Sequence, residues 1–178
     1  STAPYLFKLD GNIKIANSFT TTSTNGNQSD IRVAGSTGNI IEFGPNSELE
    51  LAGNGSTAAH VIQGGFNFNG KIKGTQQLIF SGNAGNNPTF TFGATSDNSL
   101  YNSPTSVFTL NNNVNVVANT IDNGSFFAGD KIQASGATAF CTLNGANIFT
   151  SRILVAVASQ FTFTINKNQT QVKTIEFF

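Results

Sequence analysis

Charge, sulfur and heteroatom-bearing aromatic rings are scarce in this sequence of 178 residues. Tryptophan and methionine are absent, Cys141 is the only cysteine, and His60 is the only histidine. A single cysteine excludes an intrachain disulfide, and one histidine without a cysteine cluster is not a metal-binding set. Nine basic residues balance nine acidic ones, so no basic patch for nucleic acid is predicted. We therefore predict no cofactor, no metal site and no nucleic-acid partner.

Long apolar runs are missing as well. No run of 18 apolar residues occurs, so we predict no membrane-spanning helix. Charged residues make up 10% of the chain, against roughly a quarter in typical soluble domains. The first residue is Ser1 rather than methionine, and we expect that a signal peptide was removed before it. These features favour an extracellular or cell-surface location.

Phenylalanine is abundant, with 17 copies, and can fill a core without needing a hydrogen-bond partner. Apolar and polar residues alternate in short runs, as in 41–43, 90–92 and 161–165, which is the pattern of half-buried β-strands. Asn-Gly pairs such as Asn69-Gly70 separate the runs and favour tight corners. The lone Cys141 lies between Phe140 and Leu143, which predicts a buried, unreactive thiol. The sequence thus predicts an all-β protein.

Large apolar residues recur at a constant interval along the chain. The sets that share this 23-residue interval are Phe126–Phe149–Val172, Ile132–Val155–Phe178, Ala134–Val157, Phe140–Phe163, Phe43–Phe66 and Leu49–Ile72. A constant period of about 20–29 residues is typical of coils that stack like residues over like. We predict a right-handed parallel β-helix, a solenoid of roughly seven coils of about 23 residues. The alternative is an antiparallel β-sandwich or jelly roll, because Asn-Gly also suits two-residue hairpins.

Two opposite-charge pairs have the same interval. Glu48 precedes Lys71 by that distance along the chain, and Glu50 precedes Lys73 by the same distance. On adjacent coils their backbones would be roughly 4.8 Å apart. Each such surface pair contributes only about 0.2–1 kcal/mol, so its value is as an indicator of register.

The chain is interpreted as a single solenoid domain over residues 1–178. Residues 1–28 are irregular and are predicted to form an N-terminal cap over the first coil. The 23-residue interval weakens over 86–120, where we predict an irregular coil with loops. There Phe90 and Phe92 match Phe108 and Leu110 at an interval of 18 residues. Residues 160–178 are predicted to form C-terminal strands.

Candidate catalytic groups are few. Glu48 and Glu50 lie two apart on one strand face, an arrangement open to a pair of glycosidase carboxylates, and Asp122 is a further acidic candidate. A polysaccharide-cleaving β-helix that uses these residues is the enzymatic alternative. The absence of tryptophan and the presence of only two tyrosines leave little aromatic surface for a sugar. We therefore predict a non-enzymatic protein.

Threonine pairs occur at Thr20-Thr22, Thr89-Thr91 and Thr162-Thr164. Ordered outward threonines on a flat solenoid face can bind ice. Because the pairs are not separated by the 23-residue interval, we predict that they do not form one ordered array. Ordinary strand positions explain them better.

Two stretches carry a family resemblance: Asn39–Gly53 and Gly70–Gly82. Their low-charge texture, rich in Asn, Gly and Thr, resembles the coils of autotransporter passenger domains of Gram-negative bacteria. The resemblance implies a secreted β-helix displayed at the cell surface, often in adhesion. That family has no fixed functional site at these positions, so the resemblance assigns no residue a role.

The expected function is that of a non-enzymatic extracellular surface protein, which acts in adhesion or as a structural component. Its partners would be like subunits or a cell-surface receptor. An alternative is a self-assembling subunit of an extracellular filament or surface layer, because apolar strands at a chain end invite pairing with another chain. The residues predicted to pair between subunits are Phe161, Phe163, Ile165, Ile175, Phe177 and Phe178.

Overall fold

The computed structural model is a right-handed parallel β-helix of about five turns. It describes residues 6–15, 19–20, 31–32, 40–51, 58–82, 87–111, 113–135, 138–155 and 160–177. Within these residues the regular secondary structure consists of short β-strands, and no helix occurs. The alternation of apolar and polar residues therefore predicted the class of the fold correctly.

Eighteen strands are described. In chain order they are β1 (Leu6–Leu9), β2 (Asn12–Ile15), β3 (Phe19–Thr20), β4 (Ile31–Arg32), β5 (Ile40–Phe43), β6 (Glu48–Leu51), β7 (Ala58–Gln63), β8 (Gly65–Phe68), β9 (Lys71–Gly74), β10 (Gln77–Ser81), β11 (Thr89–Phe92), β12 (Val107–Leu110), β13 (Val114–Ala118), β14 (Lys131–Ala134), β15 (Thr138–Leu143), β16 (Arg152–Val155), β17 (Gln160–Ile165) and β18 (Thr174–Phe177).

The strands form three sheets that run along the solenoid axis. The first sheet has the order β1-β5-β8-β11-β13-β15-β17. The second has the order β3-β7-β10-β12-β14-β16-β18, with β4 also paired to β7, and the third is β2-β6-β9. All described pairings are parallel except that of β3 with β7. Parallel neighbours in every sheet show that the antiparallel sandwich alternative is wrong.

The predicted number of coils was too high. The first and second sheets advance together through five steps, from the coil of β5 and β7 to the coil of β17 and β18. Before them, β1 and β2 stack on β5 and β6, but β3 runs antiparallel to β7. The regular solenoid therefore has about five turns rather than seven.

Register is confirmed in the third sheet and corrected in the other two. Leu49 faces Ile72 and Glu48 faces Lys71, as the 23-residue interval predicted. The observed partners that replace predicted ones are Phe43↔Phe68, Ile132↔Ile153, Phe140↔Thr162 and Phe127↔Phe149. Val155 pairs with Phe177 rather than with the predicted Phe178. Val157 lies outside the described residues, so its predicted pairing with Ala134 stays a prediction. The partners differ from the predicted ones because the corners between strands differ in length from coil to coil. The number of residues from a strand to its partner on the next coil therefore varies, although the strands themselves stay aligned.

The 18-residue match over 86–120 was also wrong. Phe90 lies in the first sheet between Phe66 and Val116, whereas Phe108 lies in the second sheet beside Leu78. A long connection over residues 93–106 joins β11 to β12. The two phenylalanines thus belong to opposite walls of one coil.

Phenylalanine rings fill the core. Phe66 is buried, and its ring centroid lies 5.2 Å from that of Phe90, 5.5 Å from Phe92 and 5.9 Å from Phe43. Cys141 is also buried, which raises the pKa of its thiol. That burial confirms the prediction made from its apolar neighbours.

A ladder of amide side chains follows the corner after the first sheet. Asn144 donates through Nδ2 to Oδ1 of Asn119 (2.7 Å), and Asn166 donates in the same way to Asn144 (2.7 Å). Two coils earlier, Gly93 takes the corresponding position next to Asn69. A Cβ atom at residue 93 would meet Oδ1 of Asn69, so a larger residue there would require the Asn69 side chain to move. The corner is therefore held by side-chain hydrogen bonds in addition to the sheets.

Candidate functional site

In the last coil, some side chains on the core-facing side of the strands are exposed to solvent. We call its core-facing residues the terminal face: Phe161, Phe163, Ile165, Ile175 and Phe177. Phe161 and Phe163 are partly buried against the core, whereas Ile165, Ile175 and Phe177 are exposed. These are the described members of the predicted subunit-pairing set. Phe178, the remaining member, lies outside the described residues.

One column of isoleucines shows how abruptly the burial ends. Ile132, Ile153 and Ile175 lie above one another on three successive coils. Their exposed fractions are 0%, 2% and 52%. The side chains are alike and face the same way. The difference therefore arises because a further strand covers Ile132 and Ile153, whereas the described residues supply none over Ile175. Leaving apolar surface in water is unfavourable, and covering it on association is favourable.

The outer edges of β17 and β18 have no partner strand among the described residues. Two other strand edges are covered by neighbouring groups. At the opposite end β7 is covered by β3 and β4. In the third sheet, the last strand β9 is covered by the side chain of Asn98. Open edges are available for pairing with another chain.

Asn98 covers that edge by imitating a peptide group. Its Oδ1 accepts a hydrogen bond from the backbone N–H of Ile72 (3.0 Å), and its Nδ2 donates to the carbonyl of Phe126 (2.8 Å). The side chain is completely buried. One amide thus links three coils, a role that the sequence analysis missed because Asn98 lies in an Asn- and Ser-rich loop.

The candidate catalytic pair is held by a lysine. Lys73 lies beside both Glu48 and Glu50, with 3.3 Å between its Nζ and Oε2 of Glu50. Hydrogen bonds to Glu48 and then to Glu50 raise the pKa of Lys73. Both carboxylates therefore contact one ammonium group.

Asp122 is the third acidic candidate and lies elsewhere. It follows β13, three strand spacings from the coil of Glu48, or about 14 Å along the axis. Its Oδ1 accepts a hydrogen bond from the backbone N–H of Ala146 (2.9 Å) and contacts Nζ of Lys167 (2.9 Å). These two contacts, the backbone one first, lower the pKa of Asp122. The structure therefore does not bring the three predicted carboxylates together.

The contacts of Asp122 predict a pH-dependent stability. The ionised carboxylate stabilises the fold above its ordinary pKa of about 3.9, and this contribution is lost as pH falls through the lowered folded value. Asp122→Asn should therefore lower the melting temperature at pH 7, and the difference from wild type should vanish in strong acid. Melting curves between pH 2 and 7 measure it. Lys167→Gln should give a smaller change of the same form, because the Ala146 contact remains; a difference independent of pH would contradict the assignment.

Other candidate sites are weak. His60 is buried in β7 opposite Leu78. The described residues contain no cluster of three or more His, Cys, Asp or Glu that could hold a metal ion. The same residues include no helix of the length and hydropathy needed to cross a membrane. A depression of about 350 Å³ near Ile121 is lined mainly by small polar residues, with Asp97 its one ionisable side chain.

Charge on the outer surface of the first sheet is confined, among the described strands, to Lys8 on β1 and Glu42 on β5. From β11 to β17 its outward side chains are all uncharged: Thr89, Thr91, Asn115, Val117, Thr138, Phe140, Thr142, Gln160, Thr162 and Thr164. We call this surface the uncharged face. The outward positions of the second sheet include Lys131, Arg152 and Glu176. The sequence analysis missed this face because its members are far apart along the chain.

Two of the threonine pairs lie on this face, where Asn115, Val117 and Phe140 separate them, so they form no continuous threonine array. Thr89 and Thr162 lie in one column, and Thr91 and Thr164 lie in the next. The pairs are in line although their separation is not a multiple of the 23-residue interval, because the intervening coils differ in length. Thr20 has a described backbone in β3, but Thr22 lies outside the described residues.

Comparison of this chain with protein-family models, with curated proteins and with solved structures found no match.

Proposed function

We propose that this protein is a non-enzymatic structural component of a cell surface or extracellular structure, whose copies associate end to end through the terminal face. The observation that carries the proposal is the isoleucine column, in which exposure rises from 2% at Ile153 to 52% at Ile175. Phe177 on the same strand is 76% exposed. The extracellular location is supported by the low charge and by the resemblance to autotransporter passenger domains.

A head-to-tail arrangement suits the strand directions. Successive coils run the same way, so the edge of β17 can pair in parallel with β1 of the next copy. The first sheet is open at both ends in the described residues, and Phe7 on β1 is 59% exposed. When the two corners are aligned, Phe163 lies over Phe7 and Ile165 over Leu9. Such a contact continues the apolar column from one copy to the next and generates an open filament.

Self-association gives the direct test. Wild-type protein should form oligomers whose size rises with concentration in sedimentation velocity experiments. Changing Ile175 and Phe177 together to lysine should weaken association by at least about tenfold, since burying each apolar side chain is worth about 1.5–3 kcal/mol. Phe140→Lys is the matched control, because Phe140 is an exposed phenylalanine on a side wall. A wild-type protein that stays monomeric at millimolar concentration, or a control that dissociates equally, contradicts the proposal.

Adhesion is the second candidate, and the uncharged face is the observation that favours it. A rigid wall of regularly spaced polar side chains can contact a partner without any chemical step. Cleavage of polysaccharide is less well supported, since Lys73 lies between Glu48 and Glu50 and the pKa of Asp122 is lowered. Glu48→Ala and Asp122→Asn would abolish glycan cleavage only if that alternative is correct.

A further inference from the structure

We propose that the uncharged face binds a neutral, extended glycan, with Phe140 as the stacking platform. The proposal is independent of the terminal face, because the two surfaces lie on a side wall and at an end of the solenoid. It rests on three features of the face: its lack of charge, its regular parallel register, and one exposed aromatic ring among hydrogen-bonding groups.

The lack of charge determines the chemistry of the partner. All ten outward positions from β11 to β17 are uncharged, whereas charged side chains occupy outward positions of the second and third sheets. Phosphate, sulfate or uronate groups would need cations on the surface that receives them. A surface without either sign of charge matches an uncharged ligand and leaves no buried charge unpaired on binding.

The geometry of the face suits a long, flat ligand. Neighbouring strands of a sheet are about 4.8 Å apart, and outward residues along a strand are about 6.6 Å apart. Four strands in parallel register therefore present a shallow grid of side chains rather than a pocket. An extended polysaccharide chain can lie across such a grid and contact several coils at once.

Phe140 is the unusual member of the face. Three described phenylalanines are exposed, and Phe7 and Phe177 lie at the two ends, so Phe140 is the exposed ring of the side wall. It is 43% exposed and lies between Asn115 and Thr162 on the neighbouring strands. The negative π face of the ring attracts the C–H groups of a sugar ring, while the amide and hydroxyl beside it can hydrogen-bond to sugar hydroxyls.

These features favour a glycan over two other partners. An amphipathic helix needs a continuous apolar groove, and here a single ring is surrounded by polar side chains. An ice surface needs an unbroken array of small groups, and Phe140 and Asn115 interrupt the threonine columns. The combination of one aromatic ring with neighbouring hydroxyls and amides matches the mixed apolar and polar surface of a neutral sugar chain.

Binding to insoluble glycans tests the proposal with the protein as described. Wild-type protein should be retained by microcrystalline cellulose or by chitin, and polygalacturonate, which is acidic, should retain less. Phe140→Ala should weaken retention about tenfold by removing the stacking ring. Phe140→Tyr keeps the ring and should keep retention. Leu100→Ala, which removes an exposed apolar side chain from the connection between β11 and β12, should bind as wild type. Unchanged thermal unfolding of Phe140→Ala shows that its loss is not a loss of fold.

Several outcomes would overturn the proposal. Retention of wild type by neither cellulose nor chitin would do so, as would Phe140→Ala binding as tightly as wild type. Partition of wild-type protein into growing ice without glycan retention would assign the face to ice instead. If Phe140→Ala changed the sedimentation of the protein and not its retention by glycans, the face would be a contact between copies.

Discussion

Replacement of Phe66 by alanine is expected to lower the free energy of unfolding by about 3–5 kcal/mol, the range for a buried phenylalanine. Its ring contacts those of Phe43, Phe68, Phe80, Phe90 and Phe92, with centroids 5.2–6.1 Å apart. The cavity would lie in the middle of the aromatic core, where neighbours on three coils are held by their sheets and cannot move in to fill it. Equilibrium unfolding in urea measures the change.

Phe140→Ala is the matched control for this experiment. It removes the same side chain from an exposed position on the same fold. Surface substitutions usually change stability by less than about 0.5 kcal/mol, so the two variants should differ by several kcal/mol. Equal losses would mean that the aromatic core does not carry the stability of the solenoid.

Asn98→Ala is expected to have the second-largest effect. The change leaves the N–H of Ile72 and the carbonyl of Phe126 without their buried partner. Each unsatisfied buried group costs about 1–3 kcal/mol, and the edge of β9 is uncovered at the same time. Hydrogen exchange should show faster exchange of the Ile72 amide, and urea unfolding should show the loss in stability.

The comparison for Asn98 is Asn119→Ala. Asn119 also contributes an amide to a coil-to-coil hydrogen bond, but it is exposed and water can replace the lost partner. Its loss should be at most about 1 kcal/mol. If Asn98→Ala lowered the free energy of unfolding by no more than Asn119→Ala, the Asn98 side chain would not protect the edge of β9. Solvent would then have to reach that edge.

Strand positions and inward alternation were predictable from the residues near each strand. Phe66 and Phe68 alternate with Gly65 and Asn67, and a strand places alternate residues on one face. The third-sheet register was also predictable, because the coil that separates Leu49 from Ile72 has the predicted length of 23 residues. Burial of Cys141 followed in the same way from its apolar neighbours.

The pairing of strands in the first and second sheets was not predictable from a single interval of 23 residues. The step from Ile132 to its partner Ile153 is shorter than the predicted coil, whereas the step from Phe90 to its partner Val116 is longer. The apolar content of the chain makes chance matches at any single interval frequent. A difference of one residue changes whether a side chain faces the core or the solvent. Phe140 pairs with Thr162 instead of the predicted Phe163, and its side chain is exposed.

The candidate sites also differ in how far the sequence predicts them. The terminal face was anticipated, since apolar strands near residue 178 are visible in the sequence, whereas its exposure required the layers beneath it. The uncharged face and the buried Asn98 depend on residues brought together from distant coils. No local pattern distinguishes Asn98 from the exposed asparagines around it.

By itself the sequence determined a low-charge, all-β solenoid with phenylalanines inside, because strand alternation and turn residues act between near neighbours. The tertiary structure alone decided which coils align, which edges are covered and which phenylalanine faces water. The physical reason is that corner lengths add up along the chain. Each corner adjusts to the packing of its own coil, and only the stacked sheets set the register between coils.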